Sequence, residues 1–423
     1  MIQKTVILFL SLIVLTACSG PKSVSQNIRP LEGINITIDP GHGRTEAYDD
    51  FRVGPRGERE EWINLRVAKA LAFKLKMAGA NVFITRTKDR DVSLGGRATL
   101  AKRHNSDLFV SIHHNGSGND SGMDLPIVYF YGSASQNPAS VDFAKILIKG
   151  MREKLEFEQP EAGAVYSDHL IYSSGVSILR NTIDSMPAVI GEAGFFTNPE
   201  GEERLMSRGY NLLEADVYYE AILEYFDNGT PSAAPMVEDS LRYLKLNQPL
   251  EFQLDDGFGS NFFEENTFEA YQESERIEAV WHPGPGILSV TPIETEEKTV
   301  TFKVFGRNFK GNALHPIPFT FLTKKGYDWN IHEGWQAAFD EAELNFNKFT
   351  KVQTDTSESA FELLETSLHL YQLSLELQIV HPRARAAEEK ILTLLERKQE
   401  ILGSDESEAI AAQRLRLKEY YPE

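Results

Sequence analysis

The chain of 423 residues carries 43 Lys and Arg against 62 Asp and Glu, a formal net charge of −19. That length points to two or three domains rather than one, and 41% hydrophobic with 10% aromatic content excludes wholesale disorder. The acidic balance argues against a nucleic-acid partner, because phosphate neutralisation needs clustered Lys and Arg; a single cysteine excludes an intrachain disulfide and a four-cysteine metal site.

Lys4 is followed by an apolar run from Val6 to Leu15 and then by Leu15-Thr16-Ala17-Cys18-Ser19-Gly20. A positive start, about ten apolar residues and small residues at the end predict an export signal over residues 1–17. The run is too short to span a bilayer, which needs about 20 residues. The small residues around Cys18 resemble a bacterial lipobox. This implies cleavage behind Ala17, lipidation of Cys18 and a lipidated tether over 18–30. The expected location is the bacterial cell envelope, membrane-anchored and facing the periplasm, with Ser19 favouring the outer membrane where there are two. The alternative is a plain signal peptide or an uncleaved anchor.

From 31 to 228, short apolar runs alternate with helical stretches. Ile34 to Ile38 alternates at period two and runs into Asp39-Pro40-Gly41, a strand entering a loop. Trp62, Leu65, Ala68, Leu71, Ala72, Leu75 and Ala78 recur at helical spacing, and Gly79 ends that helix. Strands are predicted at Asn81–Thr85, Asp107–His113, Leu125–Tyr131 and Ala188–Gly191, and helices at Ser93–His104, Pro138–Leu155 and Tyr210–Phe226. Residues 156–174 give no clear pattern. The alternation predicts an α/β domain, a mixed sheet flanked by helices, with functional groups on loops leaving strand ends.

Asn228-Gly229-Thr230-Pro231-Ser232-Ala233-Ala234-Pro235 reads as a linker by composition, set at 229–239. Beyond it, residues 251–300 hold 12 acidic and 2 basic side chains. Ile287–Pro292 and Thr299–Phe309 carry strand patterns, and 240–330 is expected to be a small β-sandwich-like domain. The Val-Thr-Pro and Gly-Arg-Asn-Phe stretches weakly resemble immunoglobulin-like bacterial surface modules. Residues 331–423 are expected to form an α-helical bundle, with His381-Pro382 breaking the second helix from the third. A protein-partner or positioning role is expected for 240–423.

Four segments carry chemistry: Asp39-Pro40-Gly41-His42-Gly43, Arg59-Glu60-Glu61-Trp62, Ser111-Ile112-His113-His114-Asn115 and Gly191-Glu192-Ala193-Gly194. Two neutral histidines and a carboxylate are a three-ligand set for catalytic zinc, which keeps a fourth position for water. A further carboxylate can take that water's proton and pass it to a leaving amine. Taken singly, His42 could be a solvated loop residue, Glu60 a helix N-terminal acid, His113 a core histidine and Glu192 a salt-bridge partner.

Taken jointly, the segments resemble the zinc-dependent N-acetylmuramoyl-L-alanine amidases of the Amidase_3 type. Asp39–Gly43 matches that family's first block, and Glu60 before Asn64-Leu65 its second. Thr85-Arg86 with Asp89, Arg97, Ser106–Asn115 and Pro187–Asn198 match the rest. The resemblance implies that His42, Glu60 and His113 bind one Zn2+ and that Glu192 is the general base. The reaction implied is hydrolysis of the amide between N-acetylmuramic acid and L-alanine of the peptidoglycan stem peptide, by zinc-activated water. His114, Asn115 and Arg97 are candidate substrate contacts. His114 stands where the family usually has a small residue, and Arg44 where it has a glycine. Glu61 would be the ligand if the helix began one residue later. The rival reading is a non-catalytic peptidoglycan-binding envelope lipoprotein.

Overall fold

The computed structural model describes residues 29–44, 52–117, 122–236, 244, 249–295, 297, 299–323, 329–351, 358–377, 383–402 and 406–421. The predicted export signal, Cys18 and most of the tether lie outside them. The first unit runs β1 (Asn35–Pro40), α1 (Glu60–Met77), β2 (Asn81–Ile84), α2 (Leu94–Arg103), β3 (Leu108–Asn115), β4 (Pro126–Phe130), α3 (Pro138–Lys154), β5 (Ala164–Ser167), α4 (Ser177–Arg180), β6 (Ala188–Phe195), α5 (Pro199–Met206) and α6 (Arg208–Asp227). Its sheet has the order β2-β1-β3-β6-β4-β5. Strands β1, β2, β3 and β6 are mutually parallel, β4 is antiparallel to β6, and β5 pairs parallel with β4. This is the expected mixed sheet.

Period-two alternation divides the strand side chains between two layers. Ile36, Ile38, Val110 and Ile112 pack with Leu71 of α1, Phe143 of α3 and Ile222 of α6. Phe109, Ala188 and Ile190 face the other way, against Ala101 of α2 and Leu179 of α4. Each fully buried Leu, Ile or Phe contributes about 1.5–3 kcal/mol. This two-sided cover brings the C-terminal ends of β1, β3 and β6 together at one edge of the domain.

Two features differ from the sequence reading, the end of β6 and the presence of α5, while the start of α1 agrees with it. Helix α1 starts at Glu60, within the Arg59–Trp62 segment expected to open it, and Glu60 and Glu61 complement the positive end of its dipole. Strand β6 continues to Phe195, so Glu192 lies inside the strand and not in the loop after it. Helix α5 was not expected, although Asn198 before Pro199 is a helix-start signature: Asn198 Oδ1 accepts from the backbone N of Glu200 (2.9 Å) and Gly201 (2.8 Å).

The linker is also corrected. Ser232–Pro235 forms β7, an edge strand paired with β8 (Leu250–Asp255), where a proline is tolerated. With β9 (Glu269–Gln272), β10 (Glu275–Ile277), β11 (Ala279–His282), β12 (Ile287–Val290), β13 (Thr299–Phe305) and β14 (Phe319–Leu322), two four-stranded sheets form, ordered β10-β9-β13-β14 and β11-β12-β8-β7. Phe252, Leu288, Phe302 and Phe321 share the core of this unit.

The Gly306–Asn312 turn docks this unit onto the first. Asn312 Nδ2 donates to the carbonyls of Tyr225 (2.8 Å) and Gly229 (2.7 Å), and Asn308 Nδ2 to that of Asn228 (2.8 Å), all around the C-terminal end of α6. Arg307 Nη1 (2.7 Å) and the Ala313 backbone N (3.0 Å) both donate to Asp142 Oδ2 on α3.

Helices α7 (Trp329–Phe349), α8 (Glu358–Leu377), α9 (Ala384–Leu402) and α10 (Ser407–Tyr420) enclose a separate core of Trp335, Phe339, Leu364, Tyr371 and Leu394. Among the described residues no helix is long and apolar enough to cross a membrane.

Candidate active site

Strand β1 ends at Pro40, and the chain turns sharply through His42 (φ 57°), Gly43 (φ 135°) and Arg44 (φ 53°). Two non-glycine residues in the left-handed region cost about 1–3 kcal/mol each and need support from outside. Two buried guanidiniums supply it. Arg86 donates to the carbonyls of Pro40 (2.8 Å), Gly41 (2.7 Å) and Glu61 (2.8 Å). Arg97 donates to the carbonyls of Pro40 (2.9 Å) and His42 (2.7 Å) and to Asp39 Oδ1 (2.8 Å). Burial and the nearby Arg97 bring the Arg86 guanidinium down to about 10. Asp39 also accepts from Thr85 (2.5 Å) and Ser111 (2.7 Å). Arg44, in place of a glycine, is held by its own backbone N donating to Asp89 Oδ1 at 2.6 Å.

The turn presents the His42 ring to the first residue of α1. His42 Nε2 lies 2.9 Å from Glu60 Oε2, and His113 Nδ1 lies 3.0 Å from Glu60 Oε1. The two rings meet edge to face with centroids 4.6 Å apart. One donor atom from each of the three residues lies within 4.8 Å of the others. Glu60, not Glu61, stands between the rings; Glu61 is buried and its Oε1 faces Arg59 Nη1 at 3.4 Å. Gly41 is required here, because a Cβ at that position would fall 2.1 Å from His113 Nε2.

Burial acts on all of these groups. It lowers the His42 pKa, with Glu60 opposing. It works to raise Glu60, but the two adjacent rings more than offset it and hold the carboxyl well below its usual range. It works to lower His113, but Glu60 and Glu192 leave that ring raised. His113 and Glu192 are register partners on β3 and β6. Burial, assisted by the Glu60 charge and opposed by His113, pushes Glu192 up to about 7. Glu192 Oε2 is buried without a hydrogen-bond partner.

The other sequence candidates fare differently. Arg97 and His114 are 3% and 2% exposed and spend their polar atoms inside the domain, so neither reaches a substrate. Arg97 shapes the His42 turn. The His114 ring lies between Asn64 (Nδ1 to Oδ1, 2.8 Å) and Glu214 (Nε2 to Oε2, 3.1 Å). Asn115 is partly exposed at the end of β3, with Nδ2 buried and without a partner, and remains a candidate contact. Sequence reasoning missed Asn64 and Glu214 as members of this network and treated Arg86 only as part of a motif.

The donor set fits a zinc ion. Two imidazoles and one carboxylate converge, Glu60 is held ionised, and a second carboxylate oxygen beside them has no protein partner.

Comparison with known proteins yields related chains. The profile of the family described as N-acetylmuramoyl-L-alanine amidase (Amidase_3) matches residues 36–224. The uncharacterized protein YqiI of Bacillus subtilis (strain 168) is 31% identical over 204 residues, which cover 48% of this chain and 90% of that protein. The N-acetylmuramoyl-L-alanine amidase AmiA of Escherichia coli (strain K12) is 28% identical over 227 residues, 45% of this chain and 75% of that one. Among solved structures, the N-acetylmuramoyl-L-alanine amidase AmiC2 of Nostoc punctiforme is 28% identical, covering 46% of this chain and 97% of its own, with a TM-score of 0.40.

Proposed function

The chain belongs to the N-acetylmuramoyl-L-alanine amidase family, and on that premise we propose that its first unit hydrolyses the amide between N-acetylmuramic acid and L-alanine in peptidoglycan. One observation carries the proposal: the His42–Glu60–His113 cluster beside a Glu192 oxygen that has no partner. In this reading His42, Glu60 and His113 would hold one Zn2+. When bound, the ion supplies Lewis acidity, drawing electrons from the scissile carbonyl and lowering the pKa of a water. Glu192, raised to about 7 by its burial, takes a proton from the attacking water and returns it to the departing L-alanine amine. A carbon–oxygen bond forms, the carbon–nitrogen bond breaks, and the proton ends on the amine.

Product analysis on defined muropeptides tests the reading. Mass spectrometry should find free stem peptide and intact glycan, and chelation should abolish release. Glu192→Gln should retain zinc and lose roughly 10²–10⁴-fold in rate, the usual contribution of a positioned general base. Full activity in that variant refutes the role of Glu192, and cleavage at another bond refutes the reaction.

For location, we read the chain as a lipid-anchored envelope protein on the pattern from Val6 to Cys18. Incorporation of labelled palmitate, lost in Cys18→Ala, checks that reading, and unchanged labelling would sink it.

A further inference from the structure

Glu60 is held by more than the two imidazoles. Its Oε1 also accepts from Asn64 Nδ2 (3.2 Å) and from the backbone N of His114 (3.2 Å). Asn64 Nδ2 donates in addition to the Gly41 carbonyl at 3.2 Å, so its amide orientation is set from two sides and Oδ1 is left to accept. The atom facing Oδ1 is His114 Nδ1, 2.8 Å away, which is therefore a donor. Behind the ring, Glu214 Oε2 lies 3.1 Å from Nε2, one hundred residues along the chain. All four side chains are buried. A continuous path thus runs from Glu214 on α6, through His114 on β3 and Asn64 on α1, to the carboxylate between His42 and His113.

We propose that His114 is a positioning residue for the metal centre: braced by Glu214, it orients Asn64, which holds the Glu60 carboxylate in its ligating rotation. The terminal torsion of a glutamate is soft and broad, so a ligand carboxylate needs outer partners to hold one orientation. The Asn64 amide could rotate and present its oxygen to Glu60, which would repel. The Gly41 carbonyl and a donor on His114 Nδ1 both favour the orientation that gives Glu60 the amide N–H, with His114 holding the oxygen from the far side. Loss of such an outer partner costs roughly 10–100-fold in metal affinity. Neither His114 nor Glu214 needs to touch substrate for this role.

The inference rests on the zinc reading above, and zinc affinity separates the two. Competition titration of the full chain against a chromophoric zinc chelator should show one equivalent bound by the unsubstituted protein. His114→Ala should weaken zinc roughly tenfold or more. His114→Gln, whose amide can still donate to Asn64 Oδ1, should recover most of that loss. The double variant His114→Ala/Glu214→Gln should bind no more weakly than His114→Ala alone, because both act along one path. If His114→Ala does not fold, the shape-conserving Glu214→Gln carries the test, with weaker zinc supporting the path and unchanged zinc overturning it. An unsubstituted chain that takes up no zinc overturns the metal reading and this inference with it. An unsubstituted chain that binds zinc, with a His114→Ala variant within twofold of it, overturns this inference alone.

Discussion

Asp142→Asn tests whether the two-sheet unit is a fixed part of the amidase domain. Asp142 is 9% exposed on α3, and its Oδ2 accepts from both Arg307 Nη1 and the Ala313 backbone N. The substitution conserves shape, removes the charge and sets an amide opposite a guanidinium. Each hydrogen bond to a charged group contributes about 1.5–3 kcal/mol. The Arg307 side chain is 31% exposed, so solvent relieves part of its loss. The substituted amide keeps an oxygen that can accept from both donors, so the loss is the charge assistance rather than the bonds themselves, about 1 kcal/mol in all once solvent at Arg307 is allowed for. For a cooperative unit of 150–250 residues that lowers Tm by about 2–4 °C. Scanning calorimetry with urea unfolding is the assay, with peptide release measured at 25 °C as a control for the distant site. The expected result is a lower Tm for a transition in which the two units unfold together. A shift below about 1 °C with an unchanged urea midpoint would show that the Asp142 charge contributes nothing to docking and leave the Asn308 and Asn312 contacts to hold the units.

Two other outcomes follow from the same geometry. Gly41→Ala should cost little global stability but drive the His113 ring out of place, since the new Cβ would overlap it; zinc affinity is expected to fall by roughly 10–100-fold, and zinc binding equal to that of the unsubstituted chain refutes the packing argument. His315 is held down to about 4 by burial against the first unit, beside Ile183 and Asp184. With a folded pKa below the unfolded value of about 6.5, the neutral ring's stabilisation is fully present above pH 6.5 and is lost as pH falls towards 4. The Tm of the unsubstituted protein should therefore drop faster over that window than that of His315→Gln, and parallel pH profiles would remove His315 as the cause.

The candidate metal set was legible because its members sit where local patterns change. His42 follows a period-two strand into a glycine turn, Glu60 opens an amphipathic helix, and His113 lies near the end of an apolar strand. Resemblance joined them, since the ligands share no short motif. The Asn64-Leu65 register already favoured Glu60 over Glu61, and the position of Glu60 between the two rings agrees with it. The linker misled because Ser, Ala and Pro make both tethers and edge strands, and pairing with β8 is a contact that composition does not record.

The amino-acid order by itself determined the α/β alternation of the first unit, the helical character of the last and the residues of the candidate metal cluster. These are local properties, written in periodicity, turn residues and side-chain chemistry. Tertiary structure alone decided that Arg97 and His114 face inward, that Asn64 and Glu214 stand behind Glu60, and that the Gly306–Asn312 turn locks onto α6 and α3. Apart from Asn64 and Glu60, which are neighbours on one helix, those contacts join residues tens to more than a hundred positions apart. A side chain's face can be inferred from its neighbours in sequence, but its partners depend on which distant element packs over that face.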